Sequence, residues 1–127
     1  VRLVWHALED SMGGEIYVKK IPSMKVIDIA KIIAPKASHK IIGIRPGEKL
    51  HEQMIGLEDA QYTFEYPDHF KILPAIYGWN KDKKRINQGK RVNNDFQYTS
   101  DKNNEWMTKE FLTEWLISNQ IKTVKHN

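Results

Sequence analysis

The sequence predicts an α/β fold in which short strands pack with three to four helices. Apolar residues recur at helical spacing near both ends of the chain and again between residues 23 and 34, and short β-branched and aromatic runs stand between them. Glycines and prolines punctuate the joins. With 127 residues, 40% of them hydrophobic and four of them tryptophan, the chain can bury a core and reads as one domain over residues 1–127.

Val1, Val4, Trp5, Leu8 and Met12 share one helical face, and Gly13-Gly14 ends that first helix. Glu15-Ile16-Tyr17-Val18 reads as a strand, followed by a loop through Lys19, Lys20 and Pro22. Ser23 is the expected N-cap of a second helix that runs to Ala34 and stops at Pro35. Its polar strip is only Lys25, Asp28 and Lys31, so it is expected to be largely buried. Lys40 to Ile44 reads as a buried strand feeding a short helix over 46–56, with Pro46 in the first turn and Leu50, Met54 and Leu57 on the core side. Strand, helix, strand, helix implies parallel strands joined by a crossover. Tyr62, Phe64 and Tyr66 alternate with polar residues, Pro67-Asp68 marks a turn, and Phe70, Ile72 and Leu73 return, which reads as a hairpin or two extended segments. Residues 75–95 lack periodicity and read as a long loop, followed by a short extended piece at Phe96-Gln97-Tyr98. Thr108 is expected to cap a last helix with Phe111, Leu112, Trp115 and Leu116 inward, and the tail from Gln120 to fray.

The absences limit the chemistry. Without cysteine there is neither a disulfide nor a thiolate metal site, which agrees with a reducing cytoplasm, the expected location. No apolar run is long enough to span a membrane, and no signal-peptide pattern is present. The first residue is Val1, inside a helical pattern, so an upstream portion is expected to have been removed. The net charge of +4 is concentrated in Lys81, Lys83, Lys84, Arg85, Lys90 and Arg91, a solvated loop first, an anion-binding patch or subunit contact next. No glycine-rich dinucleotide fingerprint or Walker loop occurs. His51-Glu52 resembles the start of a zinc-protease helix, but Ile55 stands where the second histidine belongs. Tyr77 and Lys81 have the Tyr-x-x-x-Lys spacing of short-chain dehydrogenases, yet Gly78 and the aperiodic surroundings argue against the helix that would bring them together. No catalytic, metal-binding or cofactor-binding residue is assigned in this chain.

One short stretch does suggest a ligand. In Arg45-Pro46-Gly47-Glu48, a guanidinium beside a helix N-terminus suits phosphate, and the glutamate could accept from sugar hydroxyls. The plainer alternative is that Glu48 favours the helix dipole, bonds back to a backbone N–H and pairs with Arg45.

Four segments together resemble a known family: Gly14-Glu15-Ile16-Tyr17-Val18, Lys20-Ile21-Pro22-Ser23-Met24-Lys25, Gly43 through Glu52, and Tyr98-Thr99-Ser100-Asp101 with Glu105-Trp106. They are similar to the C-terminal part of the inverting UDP-N-acetylglucosamine 4,6-dehydratases of bacterial surface and flagellar glycan synthesis. These belong to the extended short-chain dehydrogenase/reductase superfamily, with capsule-type UDP-sugar epimerases as close relatives. The resemblance implies a small substrate-binding domain, with the Rossmann domain absent, that partners a missing N-terminal Rossmann domain holding NADP and the catalytic residues. It implies that Arg45 contacts the nucleotide's phosphates and Glu48 its ribose, that this fragment carries no cofactor and is inactive alone, and that the whole enzyme is a homo-oligomer, a hexamer in the family. Residues 75–95 are the expected contact arm. The competing class is a basic nucleic-acid-binding module using Lys81 to Arg91 with Tyr77 and Trp79, which would show steep salt dependence.

Overall fold

A computed structural model describes residues 1–119, and the fraying expected from Gln120 lies outside the described residues. The chain divides into two compact units, Val1–Ile21 with Gln53–Thr99, and Pro22–Glu52 with the chain from Ser100.

The first unit is built on antiparallel pairing. Helix α1 (Arg2–Asp10) precedes strand β1 (Ile16–Lys19), both within a residue or two of the sequence expectation. Strands β3 (Thr63–Glu65) and β4 (His69–Ile72) form a hairpin about Pro67-Asp68, the first of the two arrangements the sequence offered, and β5 (Lys90–Arg91) lines the far edge, giving the order β1-β4-β3-β5. Val18 stands opposite Phe70, and Phe64 opposite Arg91. A separate ladder joins β2 (Gln53–Ile55) to β6 (Tyr98–Thr99). Strand β4 is buried on both faces. Phe70 and Ile72 join Val18, Ile55 and Tyr98 in the core, with Tyr62, Val92 and Phe96 packed against it, and the rings of Phe96 and Tyr98 each lie 5.1 Å from that of Phe70. His69 and Lys71 point to the other face, as the two-residue period of a strand requires.

The parallel crossover is not formed. Every ladder between named strands among the described residues is antiparallel, because β4 receives β1 on one side and its own hairpin partner β3 on the other. Residues 75–95 are less irregular than expected: they hold a 3-10 helix at Trp79–Lys81, a one-turn helix α3 (Lys83–Ile86) capped by Asp82, and β5.

In the second unit, α2 (Val26–Ile33) packs against α4 (Lys109–Ser118). Thr108 caps α4 as expected, its hydroxyl accepting from the Phe111 N–H at 3.2 Å, and Leu112 and Leu116 are buried; Phe111 and Trp115 stay exposed. Ser23 is not the cap of α2. Its backbone bridges to Trp106 in parallel, donating to Glu105 O and accepting from Met107 N, both at 2.8 Å, and Lys25 takes the cap position instead. Nor is α2 largely buried: Val26 and Ile27 are exposed and the rest of its apolar residues are half-buried.

The largest departure is between 40 and 56. Lys40 to Ile44 finds no strand to pair with, so it forms no ladder, and Ile41 is 96% exposed. The expected helix over 46–56 fails at Gly47, whose φ of 86° lies outside the right-handed region. Beyond it the chain extends into β2 and carries Ile55 into the first unit's core, while Leu50, Met54 and Leu57 are exposed.

Candidate functional site

Pro46 and Gly47 make a tight turn rather than a helix start. The Glu48 N–H donates to Arg45 O at 3.0 Å, Pro sits at the second position and a positive-φ Gly at the third, the signature of a type II turn. A helix dipole therefore plays no part here. What the turn does is bring two side chains to the same place. Glu48 Oε2 accepts from the Arg45 N–H at 2.9 Å, and Glu48 Oε1 lies 3.9 Å from Arg45 Nε. The side chains are 75% and 51% exposed for Arg45 and Glu48. An ion pair of that length in water is weak. Arg45 keeps most of its donors for something else, and Glu48 has one oxygen engaged and one available.

Glu48 also lines an open cavity of about 1040 Å³ within the second unit. Its walls are largely apolar, from Met24, Ile27, Ile42, Leu50 and Trp106, with His51 among its polar groups. The Trp106 ring is oriented by its Nε1, which donates to Asn103 O at 2.8 Å. At the cavity's side, Ser100 and Glu52 lock together: Ser100 N donates to Glu52 O at 2.8 Å, and Glu52 N to Ser100 Oγ at 3.0 Å. Apolar walls with a few polar groups at the mouth are the usual build of a small-molecule site. The paired geometry that the plainer reading of Glu48 required is present, but on the surface beside a cavity.

The dehydrogenase-like spacing is not realised as a pair. Tyr77 (φ 50°) and Gly78 (φ 68°) are both left-handed and lead into a 3-10 helix, so Tyr77 and Lys81 do not share an α-helical turn. Among the described residues, no group of three or more His, Cys, Asp or Glu side chains could hold a metal.

Sequence reasoning missed two buried polar clusters, both in the first unit. On the polar face of β4, Lys71 is 1% exposed and its Nζ donates to Asp10 Oδ2 at 2.6 Å; Tyr17 Oη donates to the same oxygen at 2.7 Å. Burial works to raise the Asp10 carboxyl, but these hydrogen bonds outweigh it and hold the group below its usual 3.8. Burial, then the bond to Asp10, pushes the Tyr17 phenol up, so this Tyr-Lys-Asp trio lacks a phenol ready to ionise. In the second cluster, Arg85 leaves the basic run altogether. It bonds to Glu15 and to Gly13 O at 3.0 Å, and its guanidinium lies 3.8 Å from the centre of the Trp79 ring. Lys81, Lys83, Lys84, Lys90 and Arg91 remain exposed. The alternation of β4 could have placed Lys71 inside; nothing in the run of six cations distinguishes Arg85.

The family model described as "Polysaccharide biosynthesis protein" matches residues 1–74. The UDP-N-acetylglucosamine 4,6-dehydratase (inverting) of Campylobacter jejuni subsp. jejuni serotype O:2 is 44% identical over 119 residues, 90% of this chain and 36% of that protein. The UDP-glucose 4-epimerase of Rickettsia canadensis is 33% identical over 76 residues, 57% of this chain and 22% of that protein. Among solved structures, Pen from Bacillus thuringiensis matches with a TM-score of 0.75 at 25% identity, over 96% of this chain and 36% of that one. The chain thus spans about a third of the length of the dehydratase it matches.

Proposed function

This chain belongs to the polysaccharide biosynthesis protein family, and from that premise we propose that it is the UDP-sugar-binding part of a C5-inverting UDP-N-acetylglucosamine 4,6-dehydratase. The observation that carries the reading is 44% identity to the Campylobacter dehydratase across 90% of the chain. The geometry supports it with an exposed guanidinium and carboxylate on one hydrogen-bonded turn, and a cavity with apolar walls beside Glu48. Arg45 would take the diphosphate, its planar fork suited to two phosphate oxygens. Glu48 would turn Oε1 to the ribose hydroxyls while the Arg45 N–H holds Oε2 in place. Swapping a 3.9 Å contact with Arg45 for a ligand bond loses little.

The redox steps belong to other residues of the whole protein. NADP is the cofactor this reading implies for the whole enzyme, and none of the described residues is assigned to it. Of the paired glycines Gly13-Gly14, Gly14 packs closely, since a Cβ there would stand 2.9 Å from Pro74 Cγ. In the whole enzyme this part orients substrate by its nucleotide handle, and remote binding energy of that kind is spent on positioning the sugar.

The test is a UDP titration of the chain followed through the amide signals of residues 43–49. Shifts confined to that turn that vanish in Arg45→Ala support the reading; an unchanged titration refutes it. The similarity to UDP-glucose 4-epimerase sustains a second reading, the same domain of an epimerase. The whole protein separates the two, since one releases a dehydrated keto-sugar and the other returns an isomer of equal mass.

A further inference from the structure

The turn at Arg45 to Glu48 stands astride the mouth of the cavity in the second unit. Residues 41–44 and 48–52 line that cavity, whereas Arg45, Pro46 and Gly47 are not among its walls. The guanidinium therefore lies outside it and the Glu48 carboxylate borders it. A nucleotide has a fixed order of phosphates, ribose and base. With the phosphates at Arg45 and the ribose at Glu48, the base is the group that continues into the cavity, and a sugar on the outer phosphate leads away from it. The interior suits a flat ring. Trp106, 48% exposed, shares the cavity with the apolar side chains of Met24, Ile42 and Leu50. Its indole is fixed in advance: Nε1 donates to Asn103 O at 2.8 Å, and the backbone on either side is pinned where Ser23 N donates to Glu105 O and Met107 N donates to Ser23 O, both at 2.8 Å. A ring already held in place loses little freedom when a ligand stacks on it. In the same cavity Ser100 Oγ accepts from Glu52 N at 3.0 Å and keeps its own proton to donate to a ring carbonyl.

We infer that the cavity beside Glu48 is the base subsite of the nucleotide, with the uracil ring stacked on the Trp106 indole and the hexose held outside the cavity. The inference rests on the roles proposed above for Arg45 and Glu48. The hexose is the weaker occupant. Its hydroxyls and amide each need a hydrogen-bond partner, and walls that are largely apolar supply few. Uracil presents two apolar faces and confines its polar atoms to the ring edge, so one face on Trp106 and one carbonyl on Ser100 leave little of it unsatisfied.

The test is NMR on the whole chain with UDP, UDP-N-acetylglucosamine and inorganic pyrophosphate as probes. With UDP, the uracil ring protons should show cross-relaxation to the Trp106 ring, and the Trp106 indole N–H signal should move together with residues 43–49. Pyrophosphate should move residues 43–49 alone, and the hexose of UDP-N-acetylglucosamine should show no cross-relaxation to Trp106. Trp106→Leu should weaken UDP binding about tenfold while leaving the pyrophosphate response as it was, and Trp106→Phe, which keeps a flat ring, should recover most of that loss. Should Trp106→Leu fail to fold, the cross-relaxation in the unsubstituted chain decides. Hexose protons in place of uracil protons at Trp106, or an equal loss of UDP and pyrophosphate binding in a folded Trp106→Leu, would overturn the inference. So would a UDP response confined to residues 43–49, which leaves the clamp of Arg45 and Glu48 standing without a base subsite here. Silence at both places overturns both. Uracil cross-relaxation to Trp106 with residues 43–49 unmoved upholds the base subsite and refutes the clamp.

Discussion

The two units each contain an arginine–glutamate pair, and the pairs are opposites. Arg85 and Glu15 are 6% and 1% exposed, bonded to each other, with Gly13 O and the Trp79 face taking up more of the guanidinium. Arg45 and Glu48 stand in solvent, joined through one long contact and one backbone bond. Sequence separation is part of the cause. Glu15 and Arg85 are brought together by the fold and desolvated by it, whereas Arg45 and Glu48 need only a four-residue turn. A charge pair that is enclosed and committed holds structure; one that is open and partly committed is free to exchange partners with a ligand.

The contrast is sharpened most by removing Arg85. Arg85→Ala leaves Glu15 buried without its partner and should cost about 3–5 kcal/mol in urea unfolding, with the first unit losing structure. Lys71→Met comes next, at about 2 kcal/mol by the same measurement, since Asp10 keeps the Tyr17 hydroxyl but loses its cation. Gly14→Ala should cost about 1–3 kcal/mol through its left-handed φ of 85° and the close approach of Pro74. Acid should act on the Asp10 cluster in a defined direction. The folded-state carboxyl titrates below 3.8, so its contribution is present above that pH and is lost as pH falls through the lowered value; Lys71→Met should flatten this part of the curve. At the small end, Arg45→Ala should change stability by less than about 0.5 kcal/mol while abolishing the UDP response. A large stability loss at Arg45, or a mild one at Arg85, would erase the distinction.

Legibility in the sequence followed how local the determinants were. The β3–β4 hairpin was readable from alternation about Pro67-Asp68, and the α4 start from Thr108, because each signal lies within a few residues of what it specifies. The stretch from Lys40 to Leu57 misled for the same reason. Its isoleucines look like a strand, yet strand formation depends on a partner elsewhere in the chain; Pro46 looks like a helix start until Gly47 takes a positive φ. Ser23 resembled a cap, but its hydrogen bonds go to Glu105 and Met107, more than eighty residues away. At the candidate site, Arg45 and Glu48 were legible as a pair, while the cavity beside Glu48 was not, being assembled from Met24, Leu50 and Trp106 across long separations.

Strand β5 closes the four-stranded sheet with only two residues, Lys90 and Arg91, both cationic and solvent-facing. An open sheet margin is a template on which further chains can add and grow into aggregates. Here a newcomer of the same sequence would have to lay like charges side by side along a margin too short to reward it. That gatekeeping should let the molecule be concentrated without fibrillating from this side, and more readily in dilute buffer than in high salt, where the repulsion is screened.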